Sequence, residues 1–166
     1  MSLEELNALP ADQAEARFRD CCAADIWVHG MVANRPYASY DALLEQSRRL
    51  WPALTDDDWL QAFEAHPKIG DVNSLRRKYA RTRSLASGEQ SGARGAPEAI
   101  LQRLKAGNDE YLQRFGFIFI VCATGKSARE MLELLEQRLP NSRDQEIDNA
   151  AREQAKITEL RLEKLV

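Results

Sequence analysis

Several features that would place this 166-residue chain outside the ordinary globular class are missing or scarce. It has three cysteines, Cys21, Cys22 and Cys122, an odd number with two members adjacent and no CxxC pair. That usage fits thiols kept reduced in the core better than a disulfide framework. Histidine occurs twice, at His29 and His66, with no HExxH and no Cys/His ligand spacing, which argues against a structural zinc site. The longest wholly apolar stretch near the centre, Phe117 to Ala123, is too short to cross a bilayer as a helix. No glycine-rich phosphate cradle is present, because the TGKS at 124–127 lacks the upstream glycine of a P-loop. Neither sign of charge dominates, and a net charge of −3 argues against an indiscriminate grip on nucleic acid or anionic lipid. The amino terminus carries acids early and has no basic start followed by an apolar run, so the expectation is a cytoplasmic protein without a signal peptide.

What is present is helical periodicity. With only 8 glycines and 6 prolines, long stretches repeat apolar residues at three- and four-residue spacing. Leu3, Leu6 and Leu9 predict a short opening helix stopped by Pro10, and Asp12 is a candidate cap for the next. Ile26 to Val32 predicts a third helix ending before Pro36, and Tyr40 to Leu50 a fourth ending before Pro52. Thr55 with Asp58 resembles a capping box, opening a helix that should bury Trp59, Leu60 and Phe63 and end at His66-Pro67. From Asn73 to Arg94 the chain is dense in Arg, Ser and Gly, and only a fragmented pair of short helices is expected. A long helix follows Pro97, with Ile100, Leu101, Leu104, Asn108, Tyr111, Leu112 and Phe115 on one face and Gly116 as its C-cap. The run FGFIFIVCATG is aromatic and β-branched, yet has no partner strand, which predicts a buried extended segment crossing between helices. Ser127 with Glu130 predicts a capped helix bearing Met131, Leu134, Leu135 and Leu139, and Asp144 to Leu165 a long terminal helix. The expected fold is all-α: one domain over residues 1–166, a bundle of about seven to nine helices.

Two histidines can be weighed singly. His29 lies beside Trp27, Val28 and Met31, where a satisfied structural histidine is the favoured reading. His66 stands at the end of a well-marked helix and opens the irregular HPKIGD, a position that projects a side chain from a rigid support. On these grounds a catalytic or ligand role and a turn-forming role both stand. The cluster Arg76, Arg77, Lys78, Arg81 and Arg83 lacks interleaved aromatics and is expected to be a solvated face, with no nucleic acid bound.

FEAHPKIGD, from Phe63 to Asp71, resembles the signature of the 2-oxo-4-hydroxy-4-carboxy-5-ureidoimidazoline (OHCU) decarboxylases, the last enzymes of the route from urate to (S)-allantoin. The likeness continues through Gly88 to Gly92, through the block from Asn108 to Ser127, and through IDNAAREQAKITELRLEKL at the carboxy end, so that it covers nearly the whole chain. It implies an all-helical fold, a homodimer, an anionic ureidoimidazoline as substrate, and no metal or organic cofactor. Residue by residue, it implies that His66 is catalytic with Pro67 fixing its setting, that Glu89 is the catalytic carboxylate and Gln90 a substrate-binding amide, and that Arg161 holds the substrate. The backbone around Phe119 matches a segment that hydrogen-bonds its ring or ureido group. The family often has a serine three residues before the glutamate; that position is Ala86 here, with Ser84 and Ser87 as the flanking hydroxyls that would have to replace it.

The implied chemistry suits these residue types. Electrons released with carbon dioxide flow into the substrate's own imine, and a proton must then reach one face of an enediamine-like intermediate. A histidine with a carboxylate partner can manage that proton traffic; which of His66 and Glu89 protonates carbon is left open. Arg161 can also be examined on the helical wheel, where Ile157 and Leu165 flank it at four-residue spacing and Ile147 lies about 40° away. That places it on the apolar stripe, where an anionic partner is expected. The pattern alone favours an internal ion pair, and the resemblance favours a substrate contact. Two other classes compete: a different cofactor-free acid–base enzyme acting on a related ureide, and a non-catalytic helical binding module, which would leave HPKIGD and GEQ unexplained.

Overall fold

The computed structural model describes residues 1–67, 71–77, 79 and 98–166. Every regular element among them is helical and none is a strand. In chain order the elements are α1 (Leu3–Ala8), α2 (Ala11–Cys21), α3 (Asp25–Ala33), α4 (Tyr40–Leu50), a 3-10 turn at Trp51–Ala53, and α5 (Asp56–Glu64). They continue with α6 (72–77), α7 (Glu98–Phe115), α8 (Ala128–Arg138) and α9 (Arg143–Leu165). The nine α-helical stretches among the described residues fall within the expected number. The pair of short helices expected from Asn73 to Arg94 lies mostly outside the described residues, with α6 its one described part. The residues group into two compact units, Met1–His66 with Ile147–Val166, and Pro67–Glu146.

The first unit is built on α1 to α5 and most of α9. Its helix boundaries follow from local chemistry. Leu9, before Pro10, is extended and closes α1. The cap expected from Asp12 is not there: α2 starts at Ala11 with Pro10 before it, and Asp12 lies within the first turn near the positive helix end. Ser39 and Thr55 cap α4 and α5, and the Thr55–Asp58 box is reciprocal, each side chain bonding the other's backbone N–H. Asp therefore serves where Glu is usual. Phe18, Trp27, Val28, Met31, Leu43 and Phe63 are fully buried. Trp27 and Trp51 bury their rings and still place each N–H: Trp27 Nε1 donates to Ser47 Oγ at 3.0 Å, and Trp51 Nε1 to the Ala151 carbonyl at 2.8 Å. Trp59 and Leu60 are only half-buried, so of the three apolar residues expected inside from α5 only Phe63 is fully enclosed.

The second unit holds α6, α7, the segment 116–127 and α8. Ile100, Leu101, Leu104, Tyr111 and Phe115 form the buried face of α7 as the spacing predicts. Gly116, at φ +83°, ends the helix in the left-handed region that glycine tolerates. Gly107 permits close approach to α8, since a Cβ there would lie 2.6 Å from Leu135 Cδ2. The buried face of α8 is Met131, Leu132 and Leu135, whereas Leu134 and Leu139, expected inside, are half-buried. The segment after Gly116 is neither helix nor strand, with Phe117, Phe119, Ile120 and Cys122 buried. A side chain takes the place of a neighbouring strand there: Arg138 donates from NH1 to the Ile120 carbonyl at 2.7 Å and from Nε to the buried Glu146 at 2.7 Å. Glu146 also accepts from Tyr111 OH and, at 2.8 Å, from Asn141 Nδ2.

Candidate active site

His66 is placed by the way α5 ends. The helix closes at Glu64 with a tightened turn, in which the N–H of Ala65 bonds to Ala62 and that of His66 to Phe63 at 3.2 Å. Pro67 cannot extend the helix and disfavours helical geometry at His66, so the imidazole leaves the helix axis half-buried. Opposite it in the same unit runs α9. Its core stripe, Ile147, Ala150, Ala151, Gln154, Thr158 and Leu162, carries two polar side chains among apolar ones, and both are almost wholly enclosed. His66 Nε2 lies 2.5 Å from Gln154 Oε1, and Gln154 Nε2 donates to Thr158 Oγ1 at 3.1 Å.

Arg161 follows Gln154 by seven residues, two turns further along nearly the same face. There the structure departs from expectation. Arg161 is exposed, and among the described residues it pairs with no carboxylate; NH1 donates to the Cys21 carbonyl at 3.4 Å. The apolar stripe reaches only Leu162, about 100° round the helix, and leaves the arginine at the edge of a cavity where water can solvate it. That cavity, of about 420 Å³, is lined by His66, Gln154 and Arg161 with Arg19, Asp20, Ala23, Ala62 and Ala65. Its volume is in the range of small-molecule sites, roughly 300 to 1,000 Å³. Arg19 is already held, by Asp25 at 2.7 Å and Glu15 at 2.9 Å, which leaves Arg161 as the lining cation not neutralised by a described carboxylate.

Burial pushes the His66 pKa below the ordinary imidazole range, and the positive charge of Arg161 adds to the effect against the hydrogen bond to Gln154, which favours the protonated ring. His66 is accordingly neutral at neutral pH. The neighbouring thiols are inert, since burial pushes Cys21 up to about 12 and raises Cys22 as well. His29, for which a structural role was the favoured reading, is exposed, 3.7 Å from Glu15. It sits on the outer face of α3, whose inner face is Trp27, Val28 and Met31.

Of the residues singled out in the sequence, His66 and Arg161 are brought to one cavity. Pro67 is exposed beside His66. Phe119 belongs to the second unit, buried with its ring edge-on to Tyr111 and the Arg138 guanidinium 4.6 Å above it. Glu89, Gln90, Ser84 and Ser87 lie outside the described residues, as do Ala86 and Lys68. Among the described residues, no cluster of three or more His, Cys, Asp or Glu side chains is arranged to hold a metal ion, and no helix is long and apolar enough to cross a membrane. A family model for OHCU decarboxylase matches residues 7–163.

The chain belongs to the OHCU decarboxylase family.

Other relatives agree. It is 40% identical over 155 residues to the uric acid degradation bifunctional protein TTL of Arabidopsis thaliana, a match covering 91% of this chain and 47% of that protein, so the chain spans about half of the plant relative's length. It is 27% identical over 163 residues to the 2-oxo-4-hydroxy-4-carboxy-5-ureidoimidazoline decarboxylase of Haloferax volcanii, covering 98% of this chain and 94% of that one. Among solved structures it is similar to a crystal structure of OHCU decarboxylase in the presence of (S)-allantoin, with a TM-score of 0.69, 34% identity, and coverage of 89% of this chain and 95% of that chain. For an OHCU decarboxylase family member, Gln154, which lines the cavity, and Thr158, which bonds it from within the core, are the residues that sequence reasoning missed. The signal was available: a glutamine seven residues before Arg161, on nearly the same helical face, in a stripe whose other members are Ile, Ala, Leu and one Thr.

Proposed function

We propose that this protein decarboxylates OHCU to (S)-allantoin, the last step of urate breakdown to allantoin, with His66 and Glu89 as its catalytic residues. The observation that carries the proposal is the cavity lined by both a half-buried, neutral histidine and a cation with no described carboxylate partner, in a chain belonging to this family. Arg161 receives the substrate carboxylate or another of its anionic groups. A planar guanidinium can grip such a group through two parallel hydrogen bonds.

The substrate carries its scissile carboxylate on a ring carbon that also bears a hydroxyl, next to an imine carbon. As the bond to the carboxylate breaks, its electron pair forms the ring C=C bond while the imine electrons move onto nitrogen, which takes a proton, and carbon dioxide leaves. The ring hydroxyl then gives up its proton as the ketone forms, and the former imine carbon takes a proton on one face. One proton is consumed overall, and no external electron sink is required, so the enzyme acts as a carbon–carbon lyase without metal or organic cofactor. His66, neutral and hence able to accept, bonds the ring hydroxyl and helps expel carbon dioxide. Glu89 orients the histidine or protonates carbon. Gln90, Pro67, the backbone at Phe119 and Ser84 or Ser87 complete the substrate contacts, and the chain works as one decarboxylase domain, a reading supported by a family match running from residue 7 to residue 163.

The same reading carries a cytoplasmic homodimer with neither nucleic acid nor membrane as partner. The test of activity is direct: purified protein added to freshly generated OHCU should speed its loss well above the spontaneous rate, and exhaustive chelation should leave that rate unchanged. No acceleration, or activity lost to chelation and restored by zinc or manganese, would defeat the corresponding part.

A further inference from the structure

Gln154 and Thr158 are nearly fully enclosed polar side chains with no place in the mechanism above, and their hydrogen bonds run in one direction. Gln154 Nε2 donates to Thr158 Oγ1 at 3.1 Å, which turns the amide oxygen towards His66. A reversed amide would instead set Oε1 against Thr158 Oγ1 and turn Nε2–H towards His66, which would then have to accept at Nε2. The amide oxygen facing His66 has no proton to give. The bond of 2.5 Å between His66 Nε2 and Gln154 Oε1 therefore carries the imidazole's own proton.

We propose that Gln154, held by Thr158, is the positioning residue that fixes His66 in its Nε2–H tautomer, leaving Nδ1 as the one basic atom of the ring. Resting on the decarboxylase reading, this names the atom that accepts the proton from the substrate's ring hydroxyl: Nδ1. Gln154 holds the ring from behind and touches no reacting atom. A glutamine suits the task where a carboxylate would not, because it orients the imidazole without placing a negative charge beside it and drawing it into the protonated form. The remaining charged and titratable groups around His66 among the described residues are Arg161 on α9, Arg19 and Asp20 on α2, the Cys21 and Cys22 thiols at the end of α2, and Glu64 on its own helix.

The chain has only two histidines, and His29 is exposed, so long-range 1H–15N correlation spectra of the full-length protein labelled in histidine nitrogen distinguish them directly. Above neutral pH, wild-type His66 should show a protonated Nε2 and an unprotonated Nδ1, while His29 serves as the solvent-exposed reference. In Gln154→Glu, which keeps the acceptor and adds charge, the His66 titration and the acid limb of the kcat profile should both move to higher pH, together, with KM little changed. In Gln154→Leu the tautomer preference should be lost and kcat should fall on the order of tenfold or more. A neutral wild-type His66 protonated at Nδ1 would overturn the proposal, as would a Gln154→Glu protein whose spectrum and pH profile both match wild type. The wild-type spectrum requires no variant to fold and no substrate. The expected tautomer in a protein that does not accelerate OHCU loss would therefore sink the decarboxylase reading and leave the role of Gln154 intact.

Discussion

At His66 the dominant effect is desolvation. Burial disfavours the imidazolium, so the folded protein binds this proton more weakly than the unfolded chain, whose histidine titrates near 6.5. Between the folded pKa and about 6.5 the unfolded state therefore carries more protons, and stability rises with pH across that window. Above about 6.5 both states are neutral and the group contributes no pH dependence. Urea denaturation at pH 7.5 and pH 5.5 should show wild type losing more stability on acidification than His66→Gln, and equal losses would contradict the assignment. At Arg161 the expected outcome concerns binding: Arg161→Lys keeps the charge and loses the planar fork, so KM should rise with kcat changed less, measured by initial rates with spontaneous decay subtracted. These two residues were legible because each stands in a stretch resembling the family, HPKIGD and ELRLEKL. The wheel argument for Arg161 placed it correctly near the apolar stripe but misjudged its burial, because periodicity locates a face and cannot tell where that face passes from core to cavity. Gln154 escaped notice since a lone glutamine on an amphipathic helix is ordinarily a solvated residue, and only the position of His66 gives it a meaning.

Among the elements, the irregular segment 116–127 is held in part by one side chain. Arg138 is mostly buried, Glu146 wholly so, and their pair is joined to the Ile120 carbonyl, Tyr111 and Asn141. Removing one member leaves a buried charge without its partner, which costs about 3 to 5 kcal/mol. Arg138→Ala should therefore destabilise the protein by about that amount in chemical denaturation, whereas Thr55→Ala, at the exposed α5 cap, should cost only about 1 kcal/mol. The helices were legible because their start signals are local: Thr55 and Ser127 each bond the backbone of the residue three positions on, and Gly116 supplies the positive φ that ends α7. Asp12 misled because Pro10 already fixes the start of α2 two residues earlier than an Asp12 cap would allow. The crossing segment was visible in its aromatic and β-branched composition, but nothing in FGFIFIV names Arg138, eighteen residues past Ile120, as the group that satisfies it.

For the molecule as a whole, the proposal is of a helical fold with an ordinary charge balance that performs a stereospecific decarboxylation using only its own side chains. The homodimer belongs to this scale: sedimentation equilibrium at micromolar concentration should return twice the 18.8 kDa chain mass, and a monomer would remove that part of the proposal. The central claim is that His66 directs proton movement during loss of carbon dioxide. It is tested most directly by following freshly generated OHCU with absorbance for rate and circular dichroism for the enantiomer formed, comparing wild type with His66→Ala. The account predicts rapid formation of (S)-allantoin by the wild-type protein and a kcat lower by about 10² to 10⁴ in the variant, with KM changed less. A variant that matches the wild-type rate and still delivers the (S) enantiomer would contradict it.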